Sequence, residues 1–388
     1  MTGHPVTRRS LSRRNFLKGG LGLGALGALG LTGCSLTGAG NASDLGGTTQ
    51  LRMLNWVDYI DVTSEDGSSL GTLDRMRSEL GLQVAYDESY TDSYDGFQII
   101  LDRAVNVENP EFDLVVPVNW RAAQMIESDW VEPIPLELVR NHVNLDPAFM
   151  TNSWDRGSRY QMPWQAGITG IAYDPKLTGR ALTSINDLFD PKFKGRVGLL
   201  GEMREAVGLA MLANGDDPSR PTLAGAEAGL NRVREAIQTG QVKVVSDDFD
   251  ERLDSGELVA TMAWSGDTAV LQGTRPDIEF VIPAEGAIQW FDAMVIPKRA
   301  ANIAAAGRFM NFVYDPANAA LITAYVGYIS PVLGVQDVLR ASGPDGAALA
   351  GSPVLFPDAA ARNRLFTWGG LDAETETRLD DEFLRLVP

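Results

Sequence analysis

The sequence predicts an α/β protein of two lobes, and three observations carry that expectation. Apolar strand-like runs alternate with helical segments, the pattern of a largely parallel sheet covered by helices. Two long apolar runs, "QAGITGIAYD" (165–174) and "AIQWFDAMVIP" (287–297), stand where a chain would leave one lobe and return to it. The chain has 388 residues, room for two or three domains.

The elements follow in order. "LRMLNWV" (51–57) is an apolar strand pattern, and "GTLDRMRSELG" (71–81) is helical in period with Gly81 as its stop. "LQVAYDES" (82–89) is a strand. "DLVVPV" (113–118) is a continuous buried strand ended by proline, and "RAAQMIESDW" (121–130) is a helix. The alternation resumes with strands at 195–201, 242–246 and 257–265 and helices at 205–215 and 228–240. No short-period repeat is present, so a solenoid is excluded. Ligands of open α/β sheets sit at the carboxyl ends of strands, which places the expected site in a cleft between the lobes.

Composition narrows the function. The chain is 44% hydrophobic and 22% charged, a globular balance, with net charge −18. Residues 1–33 hold five basic residues and no acid, so the remainder is more acidic still. Such a chain repels nucleic acid and attracts cations. There are two histidines, His4 and His142, and one cysteine, Cys34. That argues against a Ser–His–Asp triad or a multi-histidine zinc site and excludes an intramolecular disulfide, and no cofactor or metal is expected. His142, Trp154, Trp164 and Trp368 read as structural.

"SRRNFLK" (12–18) looks like a twin-arginine export signal. The Gly/Leu/Ala run after it (19–31) is shorter than the roughly 20 residues a spanning helix needs. It ends in "LTGC" (31–34), which resembles a lipobox with Cys34 as the lipidated residue. A Gly/Ser/Thr-rich tether follows to residue 50, with a coil reach of about 20 Å. The expected product is exported, periplasmic or at the cell surface, and joined to the membrane only through lipid on Cys34.

Within 287–297, Trp290 and Asp292 are two apart, so in a strand they share one face, with Phe291 on the other. An aromatic face beside a carboxylate suits an organic cation, through a cation–π contact and a charge-assisted hydrogen bond. "NWVDY" (55–59) repeats the theme with Trp56, Asp58 and Tyr59.

Ordered blocks across 51–340 resemble the polyamine-binding (spermidine/putrescine) substrate-binding proteins of ABC importers, within the extracellular solute-binding proteins. The blocks are "NWVDY", "DLVVPVNW" (113–120), "MPWQAGITGIAYD" (162–174), "DLFDPKFKGRVGLL" (187–200), "REAVGLAML" (204–212), "MAWSGD" (262–267), "EGAIQWFDAMVIP" (285–297) and "YISP" (328–331). The resemblance implies a type II periplasmic-binding-protein fold: lobe 1 from 51–167 and 291–336, lobe 2 from 168–290 and 337–388, and hinge strands joining them. It implies a non-enzymatic monomer that binds a polyamine and hands it to an ABC permease. It implies ligand contacts from Trp56, Asp58, Tyr59, Trp120, Glu202, Glu205, Trp264, Asp267, Trp290, Asp292 and Tyr328. Glu202 and Glu205 also suit a helix start regardless of ligand. Val118 stands where the pattern has a serine and Val57 where it has a small hydroxyl residue. A late glutamine has no counterpart, so the resemblance leaves putrescine and spermidine both open. Rival readings are a polyamine sensor of the same fold, a secreted carboxylate-dependent hydrolase, and the same fold with an iron or thiamine ligand. The scarcity of Tyr/His clusters argues against iron.

Overall fold

The computed structural model describes residues 49–90 and 92–387; the export signal, Cys34 and most of the tether lie outside the described residues. The chain packs as two units. The first takes the described residues through Ala166 and then Phe291–Phe356, and the second takes Gly167–Trp290 and the chain from Pro357 onward. The chain passes from the first unit to the second within the strand Gln161–Tyr173 and back within Ala287–Pro297. Both strands are buried along nearly their whole length, which is why they read as long, mainly apolar runs.

The first unit opens with β1 (Gln50–Trp56), α1 (Thr72–Leu80) and β2 (Gln83–Tyr90). Gly81 ends α1 in the left-handed conformation, its N–H donating to the Arg77 carbonyl and the Leu82 N–H to the Met76 carbonyl. α2 (Ser93–Ile100) is capped by the Asp92 carboxylate, which accepts from the Tyr94 and Asp95 N–H groups. β3 pairs only over Leu114–Val115, shorter than the run at 113–118 predicts, because Pro117 has no N–H to extend the ladder. α3 (Asn119–Glu127) starts two residues before the predicted helix, which puts Trp120 in its first turn. β4 is the two-residue strand Val131–Glu132. β1 lies between β2 and β3, parallel to both, and β3 meets the 287–297 strand antiparallel at Val115↔Val295.

β5 is Gln161–Tyr173, and its second half starts the second unit. β6 (Val197–Leu200), α4 (Met203–Asn214), α5 (Leu223–Gln238) and β7 (Val242–Val245) follow. Then come α6 (Phe249–Asp254), β8 (Ala260–Trp264), α7 (Ser265–Thr274) and β9 (Glu279–Val281). β5 pairs antiparallel with β8, β8 is parallel to β6, and β6 is parallel to β7. The hydrophobic core of this unit runs from Ile171 and Leu199 through Val207, Leu230, Phe249 and Met262 to Phe383.

β10 (Ala287–Pro297) re-enters the first unit, where α8 (Ile303–Val313), α9 (Pro316–Val326) and α10 (Val335–Ala341) follow. Val335 and Leu339 are buried, and the first unit keeps the chain to Phe356, beyond the predicted limit at 336. The tail returns to the second unit through β11 (Leu365–Phe366), parallel to β10, and α11 (Ala373–Leu384). Buried Arg204 of α4 pins α11, bonding Glu376 and, at 2.9 Å, Asp380. Among the described residues no helix is long and apolar enough to cross a membrane.

Candidate functional site

Seven of the sequence-predicted residues gather into two aromatic–acid clusters: Trp56, Tyr59, Asp292 and Tyr328 in the first unit, and Glu205, Trp264 and Trp290 in the second. In the first unit β1 ends at Trp56, and the turn after it carries Asp58 and Tyr59. Asp58 adopts the left-handed conformation (φ 52°), which aspartate tolerates better than most residues. Its N–H donates to Glu88 Oε2 at 3.2 Å. The turn brings Tyr59 to β10, where its hydroxyl donates to Asp292 Oδ2 at 2.7 Å. Asp292 is 3% exposed, and its backbone bridges Val118 antiparallel. Tyr59 meets Tyr328 edge-on at 5.6 Å, and Trp56 meets Tyr90 edge-on at 4.6 Å. Phe291 turns to the opposite face and packs edge-on against Phe149.

Burial decides the electrostatics here. Desolvation pushes the Asp292 carboxyl up to about 8, against smaller downward effects of hydrogen bonding from Tyr59 and of the Trp56 indole. The Trp56 N–H itself is buried without a partner of good hydrogen-bond geometry, so Tyr59 is the donor that counts. The Tyr90 hydroxyl rises well above its ordinary range through burial and then through the charge on Asp292, and it donates to the Val116 carbonyl. An acid held neutral by burial is poised to ionise when a cation arrives to pair with it.

The second unit builds its cluster at the carboxyl ends of β6 and β8. Glu205 lies in the first turn of α4, just beyond β6, where the helix N-terminus favours negative charge. Trp264 ends β8 and stands directly opposite Thr169 of β5, so the two side chains share one face. Both donate to the same oxygen, Glu205 Oε2: Trp264 Nε1 at 2.8 Å, and the Thr169 hydroxyl. The Thr169 oxygen in turn accepts Trp290 Nε1–H at 3.0 Å. A Cβ on Gly167 would meet Trp290 Cζ2 at 2.3 Å, so glycine is what lets the indole lie against β5. Glu205 is buried, and its indole and hydroxyl donors offset its desolvation.

The remaining predicted residues lie in the turn after β1, in α3 and at the starts of α4 and α7. Trp120 is half-buried in α3. Asp58 lies with Glu88 near the buried Tyr86 hydroxyl, which burial and then the Glu88 charge raise. Glu202 is the buried residue preceding α4, its carbonyl accepting the Ala206 N–H at 2.9 Å. Asp267 is half-buried in the first turn of α7. Trp290 and Asp292, two apart on β10, bond within different clusters because the chain changes unit between 290 and 291.

Sequence reasoning missed Thr169, Tyr90 and Asp250. Thr169 shares a strand face with Gly167, but only its pairing with Trp264 marks it as part of the cluster. Asp250, at the start of α6, is pushed up to about 7 by burial and then by the charge on Asp267. Only the fold reveals that proximity. His142 closes a turn on the Val139 carbonyl, and Trp164 is buried against Phe309. Among the described residues no group of three or more His, Cys, Asp or Glu side chains is placed to hold a metal ion.

Comparison with known proteins agrees with this architecture. The profile of the family described as bacterial extracellular solute-binding protein matches residues 83–350, and that of the twin-arginine translocation pathway signal sequence matches residues 10–30. A spermidine/putrescine-binding periplasmic protein of Escherichia coli is 28% identical over 314 residues, covering 80% of this chain and 83% of its own. A putrescine-binding periplasmic protein of Pseudomonas aeruginosa is 25% identical, covering 92% of this chain and 96% of its own. A solved structure described as a putative spermidine/putrescine ABC transporter from Listeria monocytogenes superposes with TM-score 0.74 at 27% identity, covering 87% of this chain and 99% of that one. The fold is thus that of two-lobed periplasmic binding proteins, and the N-terminus carries a twin-arginine export signal.

Proposed function

Because the chain belongs to the bacterial extracellular solute-binding protein family, we propose that it captures a polyamine, putrescine or spermidine, and delivers it to an ABC permease without chemical turnover. The observation that carries the reading is the pairing of buried acids with aromatic donors in both units: Asp292 with Tyr59, and Glu205 with Trp264. In each cluster the carboxylate receives an ammonium group and the aromatic faces receive methylenes. A desolvated cation–π contact contributes about 2 kcal/mol and a charged hydrogen bond about 1.5–3 kcal/mol. Two or three of each, less the cost of ordering ligand and protein, are enough for micromolar binding or better.

Asp58, Glu202 and Asp267 add negative charge for the same ligand, and Trp56, Trp120, Trp290 and Tyr328 add apolar walls. The protein acts as a monomer in the periplasm or at the cell surface, tethered through lipid on Cys34. The names of the relatives, which bind spermidine or putrescine, support the ligand class.

Equilibrium dialysis against labelled putrescine and spermidine, with butylamine and a neutral sugar as controls, tests the reading. Saturable retention of a polyamine, displaced by the other polyamine and not by the sugar, is expected. Retention of neither amine by folded protein overturns it.

A further inference from the structure

We infer that Thr169 is a positioning residue that ties two tryptophans and one carboxylate of the second unit into a single hydrogen-bonded relay, and so sets the affinity of that cluster for an ammonium group. The inference rests on the polyamine reading above and extends it to a residue outside the predicted contact set.

The geometry is directional. Trp290 Nε1–H donates to Thr169 Oγ1 at 3.0 Å, and the Thr169 hydroxyl spends its one proton on Glu205 Oε2. Trp264 Nε1–H reaches the same Oε2 at 2.8 Å. A threonine hydroxyl has one donor and two acceptor positions, so it can accept from an indole while donating to a carboxylate. Each indole is donor only and the carboxylate is acceptor only when charged, so the relay has one consistent proton arrangement with Glu205 ionised. Ionised Glu205 is the form an ammonium group needs.

The surroundings fix the hydroxyl. Thr169 is fully buried on β5, its β-branched side chain stiff at χ1, and its cross-strand partner is Trp264 itself. Two residues earlier Gly167 leaves room for the Trp290 ring against the same strand. One hydroxyl therefore fixes the tilt of the Trp290 face and the orientation of the Glu205 carboxylate together. Without it, the Trp290 indole N–H loses this acceptor, and Glu205 loses one of its donors. Both changes weaken a charge-assisted contact at the point of ammonium capture.

The test uses the full-length chain with Thr169→Val, which keeps the shape and removes the hydroxyl, and Thr169→Ser, which restores it. Polyamine affinity is expected to fall about tenfold in Thr169→Val and to stay within about twofold in Thr169→Ser, the range for losing or keeping one hydrogen bond to a charged group. In a Glu205→Gln background the effect of Thr169→Val should shrink below about twofold, because the groups act as one unit. A role in packing alone predicts the same loss in both backgrounds, and that result overturns the inference. Indole ¹⁵N–¹H resonances give a readout independent of ligand: Thr169→Val should shift both Trp290 and Trp264, while Thr169→Ser should shift neither strongly. An unmoved Trp264 resonance breaks the relay. If the unsubstituted chain retains no amine, the polyamine reading fails on its own, and the indole resonances still decide whether Thr169 couples the two tryptophans to Glu205.

Discussion

On the proposed polyamine reading, protonation of Asp292 should couple amine binding to pH. The carboxyl is 3% exposed and takes one hydroxyl donor, and desolvation lifts it from 3.8 to about 8. That rise corresponds to on the order of 5 kcal/mol against the carboxylate, at 1.36 kcal/mol per tenfold. At neutral pH the ligand-free protein therefore holds Asp292 mostly protonated, and an ammonium cation that pairs with the carboxylate must expel that proton. Binding should release about one proton per amine near pH 7, and affinity should rise about twenty-fold between pH 6.5 and 8.5. Stability of the ligand-free protein moves the other way. A raised carboxyl contributes stability that is fully present below its unfolded value near 4 and is lost as pH rises through about 8. Asp250, raised to about 7, titrates in the same window, so the contribution of Asp292 is the part that Asp292→Asn removes. Isothermal titration in buffers of different ionisation enthalpy counts the protons directly. Equal affinity at pH 6.5 and 8.5 with no buffer dependence, in a protein whose Asp292→Asn variant no longer binds, would refute the reasoning by showing Asp292 already ionised.

Three further outcomes follow from contacts in the same clusters and their supports. Tyr59→Phe removes the donor to Asp292, so the carboxyl should titrate higher still by ¹³C NMR and amine affinity should fall about tenfold. Gly167→Ala places a methyl against the Trp290 ring, where the contact would be 2.3 Å; thermal denaturation should register a loss of about 1–3 kcal/mol and dialysis a weaker amine complex. Arg204→Ala removes the buried guanidinium that bridges Glu376 and Asp380, and chemical denaturation should show about 3–5 kcal/mol lost in the second unit.

Much of this was legible in the sequence, and what was not has a physical reason. The 287–297 run reads as a buried strand and is one over the same residues, because it is apolar apart from Gln289 and Asp292 and rich in β-branched and aromatic residues. The two-residue spacing of Trp290 and Asp292 also spoke for a shared strand. The change of unit between them was invisible, since it depends on where distant segments pack. Thr169 lies within the 165–174 run, and its hydroxyl gains meaning only once Trp264 is its cross-strand partner. The limit of the first unit at Phe356 depended on how 335–356 packs, which periodicity does not encode. Asp250 illustrates the same gap, because its neighbour Asp267 lies on a different helix.

The central claim is that buried acids paired with aromatic donors hold a polyamine, and calorimetric titration of the protein and its Asp292→Asn variant with putrescine and then spermidine tests it most directly. The account predicts saturable binding of at least one polyamine by the unsubstituted protein and its loss in the variant, at unchanged fold by circular dichroism. Saturable binding that survives Asp292→Asn undiminished, or no binding of either polyamine by folded protein, contradicts it.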